Sequence, residues 1–167
     1  VQRGVPIYGE IVGYGQTNDI HGLRNAPATS KQYARAMSLA MREGNIHLKD
    51  IAYFSLDGRA HPVFDQREVE ALYSTFGTVF AGIPVSVPRT MLGHSYAAAG
   101  VLDAIMALLA LQHGLIPPTI NCEELDPNYG LNLVQKEARP LSGSTVLIGG
   151  RSIGGANVVL AIQAVES

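Results

Sequence analysis

The sequence predicts an α/β fold in which a mixed β-sheet is covered by helices. Short apolar runs, typical of buried strands, alternate with segments in which apolar residues recur every three or four positions. Strands then predominate in the last third of the chain. This order of elements is typical of an α/β domain. Because 167 residues suffice for one ordinary domain, we expect a single domain over residues 1–167.

The predicted elements follow in order along the chain. Residues 7–14 are β-rich and of strand length, and residues 15–27 form a polar loop. A helix capped by Thr29 or Ser30 continues to about Glu43, and a second helix begins at Asp65 and ends at Gly77. The remaining strands are predicted at residues 51–56, 84–87, 131–134, 145–149 and 158–165.

The segment from about Ala97 to His113 is predicted to be a helix that is apolar on nearly every side and therefore deeply buried. Pro117 and Pro118 lie just beyond its end. Asp103 interrupts the apolar stretch, which falls short of the roughly 20 residues that span a bilayer. We therefore expect no membrane association.

Composition and charge exclude several other classes of protein. A hydrophobic share of 47% against 16% charged residues indicates a folded core. A net charge of -2 without a Lys/Arg block argues against nucleic acid as a partner. The histidines lie far apart, so we expect no metal and no cofactor. Cys122 is the only cysteine, which suits a cytoplasmic protein. Its neighbours Glu123 and Glu124 carry negative charge, the opposite of the environment that activates a thiol, so it is interpreted as structural rather than nucleophilic.

Three glycine-containing turns after predicted strands are the candidate functional positions. In α/β sheets, functional groups gather at strand ends. A turn also needs glycine for its backbone alone, so spacing leaves both interpretations open. The cluster near residue 150 is not a phosphate-binding loop, because it lacks the Gly-Lys-Ser/Thr ending and a strand follows it. The three turns are Asp57-Gly58, Gly93-His94 and the stretch from Gly149-Gly150 through Gly154-Gly155.

The motifs at these turns resemble the C-terminal domain of the β-ketoacyl synthases over essentially the whole chain. Five motifs in order at the family's spacing carry the resemblance. They are residues 7–15, residues 55–62 with Asp65 and Glu68, residues 87–94 with residues 98–100, the Pro-Pro-Thr-Ile-Asn run at 117–121, and the Gly-Gly-Ala-Asn turn at 154–157. The resemblance implies a thiolase-type fold of two similar halves. This chain is then the second half, and the first is expected upstream.

The resemblance also implies a reaction. A cysteine of the first half carries an acyl chain as a thioester. Two histidines of the second half assist the decarboxylation of malonyl on its carrier protein and stabilise the enolate, which attacks the thioester. Negative charge develops on a carbonyl oxygen, so two N–H donors aimed at it lower the barrier. No nucleophile is expected within this chain.

The family's site residues are only partly retained. His94 matches the second histidine, Asp57 stands at the first, and Arg89 stands at the supporting lysine. A carboxylate accepts hydrogen bonds and cannot replace an imidazole donor, and losing such a donor typically costs about 10²–10³-fold in rate. The oxyanion or gating turn is represented by Ile153, Gly154 and Gly155, with Ile153 at the aromatic position. His61, at a family threonine position, is interpreted as a local substitution.

These departures resemble the chain-length factors of type II polyketide systems, which keep the fold with a degraded active site. The leading hypothesis is a non-catalytic subunit of this kind in polyketide or aryl-polyene synthesis. Two alternatives stay open: half of a divergent active synthase, and a stand-alone scaffold that binds carrier protein. The expected partners are a ketosynthase subunit or the chain's own N-terminal half, and acyl carrier protein, in a homo- or heterodimer.

Three structural expectations follow from this hypothesis. The apolar helix at residues 97–113 should expose a face that stacks on the missing half or on a second copy, since large exposed apolar patches mark interfaces. Arg89 should pair with Glu68, as the resemblance suggests. If Asp57 only ends a strand or caps the next helix, Asp57→Asn should cost about 1 kcal/mol or less.

Overall fold

The structure, a computed structural model, describes residues 4–20, 27–152 and 154–165. Residues 21–26 of the predicted loop and Ile153 of the predicted gating turn lie outside the described residues. The helices are α1 (Lys31–Glu43), α2 (Pro62–Phe76) and α3 (Ala99–His113). The strands are β1 (Glu10–Asn18), β2 (Ile51–Ser55), β3 (Pro84–Ser86), β4 (Leu115–Ile116), β5 (Asn132–Leu133), β6 (Arg139–Pro140), β7 (Thr145–Arg151) and β8 (Ala156–Gln163).

The main sheet has six strands in the order β1-β8-β7-β2-β3-β5. The strands β7, β2, β3 and β5 run parallel, whereas β1 and β8 are antiparallel to their neighbours. The predicted mixed sheet is therefore confirmed. Strands β4 and β6 form a separate antiparallel pair that the sequence did not predict, because two-residue strands carry no readable periodicity.

Helices cover both faces of the sheet. On one face, α1 and α2 pack over a core that includes Met37, Phe54, Leu72 and Phe80. On the other face, α3 packs over Tyr53, Val146, Ile148 and Ile162 through Ala107 and Ala110. The alternation of β2 side chains between the two cores follows from the two-residue period of a strand. The result is a sheet with helices on both sides, as predicted.

The helix boundaries agree with the sequence except at the start of α2. Ser30 precedes α1 as predicted, although its side chain makes no capping hydrogen bond. α2 begins at Pro62, three residues before the predicted Asp65, because proline's fixed φ suits the first helical position. Asp65 instead closes the preceding turn, since its carboxylate accepts the backbone N–H groups of Arg59 and His61 at 2.9 Å each.

The prediction that α3 is deeply buried is wrong within this chain. The sheet covers one side of the helix only, and the buried residues are Ala99, Asp103, Ala107 and Ala110. On the opposite side Val101, Ile105 and Leu109 are 64%, 46% and 42% exposed. We call these three residues the α3 apolar face. An all-round apolar helix needs two partners to be buried, and the described chain supplies one.

The segment around α3 is also long and apolar enough to cross a membrane when judged by length and composition alone. The window Tyr96–His113 has a mean hydropathy of 1.4 over 18 residues. The core helices of soluble proteins share this property. Asp103, near its middle, is buried against Arg89.

Candidate functional site

The carboxyl ends of three parallel strands meet at one edge of the main sheet. Asp57 follows β2, Arg89 follows β3, and Arg151 ends β7. Together with His94 and with Asp103 from α3, they line a cavity of about 340 Å³. Asp57, Arg89 and His94, which were predicted to lie at turns after strands, therefore line the same cavity, because parallel strands end at the same edge of a sheet.

Asp57 lies at the centre of this edge and accepts hydrogen bonds from three arginines. Its Oδ2 is 2.7 Å from Nε of Arg59 and 3.1 Å from Nε of Arg151, and its Oδ1 is 3.2 Å from Nη1 of Arg89. Only 1% of the residue is exposed. It does not cap α2, and an ionised carboxylate held by three cations has no proton to donate.

Glu68, on α2, binds the backbone of the turn that follows β2 and the side chain of Arg151. Its two oxygens accept the N–H groups of Asp57 and Gly58 at 2.9 and 3.0 Å. Nη2 of Arg151 lies 3.2 Å from Oε2, and the Tyr33 hydroxyl lies 3.1 Å from Oε1. This carboxylate is therefore fully engaged in holding neighbouring groups.

The close approach of a tyrosine hydroxyl explains why one residue near the end of β7 is glycine. A Cβ atom placed on Gly149 would collide with the Tyr33 hydroxyl, which bonds to Glu68. Only glycine leaves room for this close approach. The glycine predicted as part of a functional turn is thus required by packing.

The predicted pairing of Arg89 with Glu68 is wrong. Nε of Arg89 lies 3.4 Å from Oδ1 of Asp103, Nη2 bonds to Oδ2 of the same residue, and Nη1 bonds to Asp57. The guanidinium fork suits such a two-sided carboxylate contact. The resemblance to the family suggested Glu68, whereas packing of α3 against the sheet brings Asp103 to Arg89.

The carboxylates of the cluster have their pKa values shifted in opposite directions. Burial alone would raise the pKa of Asp57, but Arg151, Arg59 and Arg89 outweigh burial and hold it below the ordinary value. For Glu68, burial dominates the opposing charge of Arg151 and raises the pKa. Burial likewise raises the pKa of Asp103 above its ordinary value despite Arg89. Asp57 is the most firmly ionised of the three.

Three carboxylates and three guanidinium groups therefore balance in charge at this edge. We call Asp57, Glu68, Asp103, Arg59, Arg89 and Arg151 the ionic cluster. Buried charges are tolerated when they are paired and hydrogen-bonded in this way. Each nitrogen of Arg89 and of Arg151 has one protein acceptor, so three of the five N–H groups of each guanidinium are paired within the protein.

His94 is exposed, and its imidazole bonds to the backbone of Tyr96 and not to the ionic cluster. Its Nδ1 accepts the backbone N–H of Tyr96 at 3.0 Å, and the two rings lie 5.1 Å apart. In the neutral imidazole this bond places the proton on Nε2. The site therefore keeps one imidazole N–H donor, where the resemblance implied two.

Other candidate residues lie away from the 340 Å³ cavity. Gly154 and Gly155 belong to the turn between β7 and β8 and do not line it. The imidazole of His61 packs edge-on against Phe64, 5.2 Å away. Cys122 lines a separate cavity of about 170 Å³. Among the described ranges, no group of three His, Cys, Asp or Glu side chains is placed to hold a metal ion.

The roles of Arg59, Arg151 and Asp103 were not predicted from the sequence. A charged residue inside an apolar helix or at the end of an apolar strand usually has a buried partner. That signal was present at Asp103 and Arg151. It could indicate that partners exist, although it could not show which ones.

Comparison with known proteins places these features in a family. The family model "Beta-ketoacyl synthase, C-terminal domain" matches residues 8–123. A 3-oxoacyl-[acyl-carrier-protein] synthase 2 of Staphylococcus aureus (strain COL) is 34% identical over 165 residues, and that of Coxiella burnetii is 30% identical over 164 residues. The matches cover 99% and 98% of this chain and 40% of each relative. This chain therefore spans about two fifths of the length of these curated relatives.

Solved structures show the same fold. The ishigamide ketosynthase/chain length factor superposes with a TM-score of 0.91 at 32% identity. The AntDE:AntF complex, a type II polyketide acyl carrier protein with its ketosynthase bound to the hexaketide, gives 0.92 at 27% identity. Each match covers 99% of this chain and 40% of the other. The expected thiolase-like architecture of the ketosynthases is confirmed.

Proposed function

This chain belongs to the family of β-ketoacyl synthase C-terminal domains, and on that basis we propose that it is half of a ketosynthase-like subunit without condensing activity of its own. Residues 1–167 form the second half of the subunit in this proposal, with the first half contributed by the rest of the protein. The subunit acts as a chain-length factor beside a catalytic ketosynthase in type II polyketide or aryl-polyene synthesis.

The state of Asp57 is the observation that carries this proposal. In a condensing enzyme of this family, decarboxylation of malonyl leaves an enolate whose oxygen needs N–H donors. Asp57 stands where the resemblance puts one donor, yet it is ionised and held by three arginines. A carboxylate there has no N–H to donate to the enolate, and the two buried arginines that line the cavity each direct three N–H groups to protein acceptors.

Two further observations support the assignment to a partner subunit. A protein named as ketosynthase/chain length factor is among the structural neighbours, at 32% identity. The α3 apolar face leaves Val101 64% exposed within this chain, which is unfavourable unless another surface covers it. We propose that the N-terminal half, or a second subunit, covers this face, and that acyl carrier protein binds the assembled complex in the cytoplasm.

The test is decarboxylation of malonyl carrier protein by the intact protein, with and without its ketosynthase partner. We expect no release of CO₂ by the intact protein alone, and no loss of the complex's turnover in His94→Ala, since His94 performs no chemistry in this proposal. Asp65→Asn, which weakens the neighbouring turn, serves as the matched control for a fold defect. Turnover by the intact protein alone would contradict the proposal.

The retained His94 favours a second candidate, a divergent active synthase. Its Nδ1 bond to the Tyr96 N–H leaves Nε2 to donate, and the curated relatives are 3-oxoacyl-[acyl-carrier-protein] synthases. The residue at the nucleophile position of the first half separates the candidates. If that residue is cysteine and His94→Ala abolishes turnover, the protein is an active synthase. If that residue is Gln, Ser or Ala and turnover depends on the partner, the protein is a chain-length factor.

A further inference from the structure

A second cavity, of about 170 Å³, lies against α2 and is separate from the cavity that His94 lines. The two cavities share no lining residue among the described parts of the chain. Apolar side chains from three parts of the fold form a large part of the lining of the second cavity. They are Leu56 and Val87 after β2 and β3, Val69 of α2, and Leu125, Leu131 and Leu133 in and before β5. We call this space the apolar cavity.

Four of the polar side chains that line the apolar cavity are already bonded within the protein. Thr119 Oγ1 accepts the N–H of Val87 at 2.8 Å, and the Thr90 hydroxyl donates to the Val87 carbonyl at 2.9 Å. Both oxygens of Asp65 and both oxygens of Glu68 accept backbone N–H groups. Since burying a charge without a partner is costly, this lining favours a neutral ligand over a charged one.

Residues 121–129 supply the outer side of the apolar cavity. Cys122, Leu125 and Tyr129 are half-buried there, whereas Asn121 is exposed and lies where the cavity reaches the surface. An engineered apolar cavity of about 150 Å³ lined by aliphatic and aromatic side chains binds benzene. The apolar cavity, at about 170 Å³, is therefore large enough for a molecule of that size.

The apolar cavity lies against the turn that carries Asp57. Asp57 lines the 340 Å³ cavity, whereas its neighbours Leu56 and Gly58 line the apolar cavity. Glu68, which also lines the apolar cavity, accepts the N–H groups of Asp57 and Gly58 at 2.9 and 3.0 Å. A molecule in the apolar cavity therefore contacts the residues that support this turn, without touching the 340 Å³ cavity.

We propose that the apolar cavity is a second binding site, which takes a neutral, apolar molecule of about six carbon atoms, the size of benzene. The ligand packs against Leu56, Val69 and Leu133, and the removal of apolar surface from water drives its binding. The site does not depend on the proposed function, because none of its lining residues lines the cavity of the ionic cluster.

Alkylation of Cys122 in the intact protein tests this proposal, because the thiol lines the apolar cavity and a bound molecule shields it. The reagent is N-ethylmaleimide, the probe is benzene, and mass spectrometry of the peptide that contains Cys122 gives the rate. We expect a benzene titration to slow alkylation progressively, by about tenfold at roughly ten times the dissociation constant. Benzoate should protect far less, since it brings a negative charge beside Asp65 and Glu68.

Two variants fill the apolar cavity from different sides, so that the test survives if one of them fails to fold. Val69→Phe fills it from α2 and Leu125→Trp from the 121–129 segment, and either should abolish the effect of benzene. Val63→Phe is the matched control, because Val63 is on α2 but is 42% exposed and does not line the cavity.

Three results would overturn the proposal. The first is an alkylation rate of the natural protein that benzene leaves unchanged. The second is equal protection by benzene in the natural protein and in the filled variants, since benzene would then bind elsewhere. The third is equal protection by benzoate and benzene, which would contradict a neutral, apolar ligand.

Discussion

Asp103, in the middle of an apolar helix, bonds through both carboxylate oxygens to the guanidinium of Arg89 at the end of β3. This pair joins α3 to the carboxyl edge of the main sheet, and Arg89 carries the connection on to Asp57. The one charge inside α3 is thus explained by the ionic cluster.

Asp57→Asn is expected to destabilise the intact protein by about 3 kcal/mol, because removing one partner from a buried ionic cluster leaves uncompensated charge. This is larger than the 1 kcal/mol or less expected for a residue that only ends a strand or caps a helix. Urea unfolding measures the difference. Glu70→Gln, which breaks the surface pair with Arg67, should change the free energy of unfolding by about 1 kcal/mol or less. Equal effects of the two substitutions would contradict the buried pairing of Asp57.

A double-mutant cycle should show strong coupling between Arg89 and Asp103. Arg89→Met and Asp103→Leu each leave a buried charge without its main partner and should each cost about 3 kcal/mol or more. The double variant should lose less stability than the sum of the two single losses, by roughly 2 kcal/mol. Each substitution removes the charge that the other substitution would leave buried without a partner. Additive effects in urea unfolding would mean that the pair contributes nothing as a pair.

Stability should depend on pH in two opposite ways. The pKa values of Glu68 and Asp103 are raised, so their contribution is present below their unfolded pKa and lost as pH rises through the folded pKa. The pKa of Asp57 is lowered, so its contribution is present above about 3.9, the ordinary Asp value, and lost as pH falls through the folded pKa. Stability should rise on mild acidification and then fall.

Single variants separate the two parts of this pH dependence, the increase in stability on mild acidification and the decrease at lower pH. As pH is lowered towards the ordinary carboxylate pKa range, Glu68→Gln should reduce the increase in the free energy of unfolding. At pH values below that range, Asp57→Asn should remove most of the decrease in the free energy of unfolding. Urea unfolding across a pH series checks both. If each variant shifts the whole curve of unfolding free energy against pH without changing its shape, the assignment of the two parts to Glu68 and Asp57 is wrong.

The α3 apolar face should be buried in the intact protein. Ile105→Glu places a charge where Ile105 is 46% exposed in this chain. Within the chain alone such a change costs little, but against a covering surface it should destabilise the intact protein or its dimer by about 3 kcal/mol or more. Size-exclusion chromatography with light scattering over a concentration series, together with unfolding, gives the answer.

Val79→Glu provides the control for that experiment. Val79 is 62% exposed and lies beyond α2, whose helix packs on the other side of the sheet. Its substitution should change stability by about 0.5 kcal/mol or less. If Ile105→Glu is equally harmless and the natural protein stays monomeric, the α3 apolar face is not an interface.

The local pattern of the chain determined the class of fold and the approximate positions of the three helices. The prediction for β1 was less accurate, because the strand spans Glu10–Asn18 and includes four residues of the predicted loop. Two- and 3.6-residue periodicities are properties of neighbouring residues, so β2, α1 and α2 could be predicted within a few residues. Motif order further placed Asp57, Arg89 and His94 at strand ends, and the structure brings these three to one cavity. That His94 keeps an imidazole donor where Asp57 cannot was readable from residue type alone.

Only the tertiary structure decided which charges pair and which face of α3 is covered. Arg151 and Asp57 are 94 positions apart in sequence and 3.1 Å apart in space, and no local signal encodes such a separation. The choice of Asp103 over Glu68 as the partner of Arg89 depends on how α3 packs against the sheet. The exposure of Val101, Ile105 and Leu109 likewise depends on the sheet covering one side of the helix. Periodicity describes what one segment can bury, whereas pairing and coverage depend on where distant segments meet.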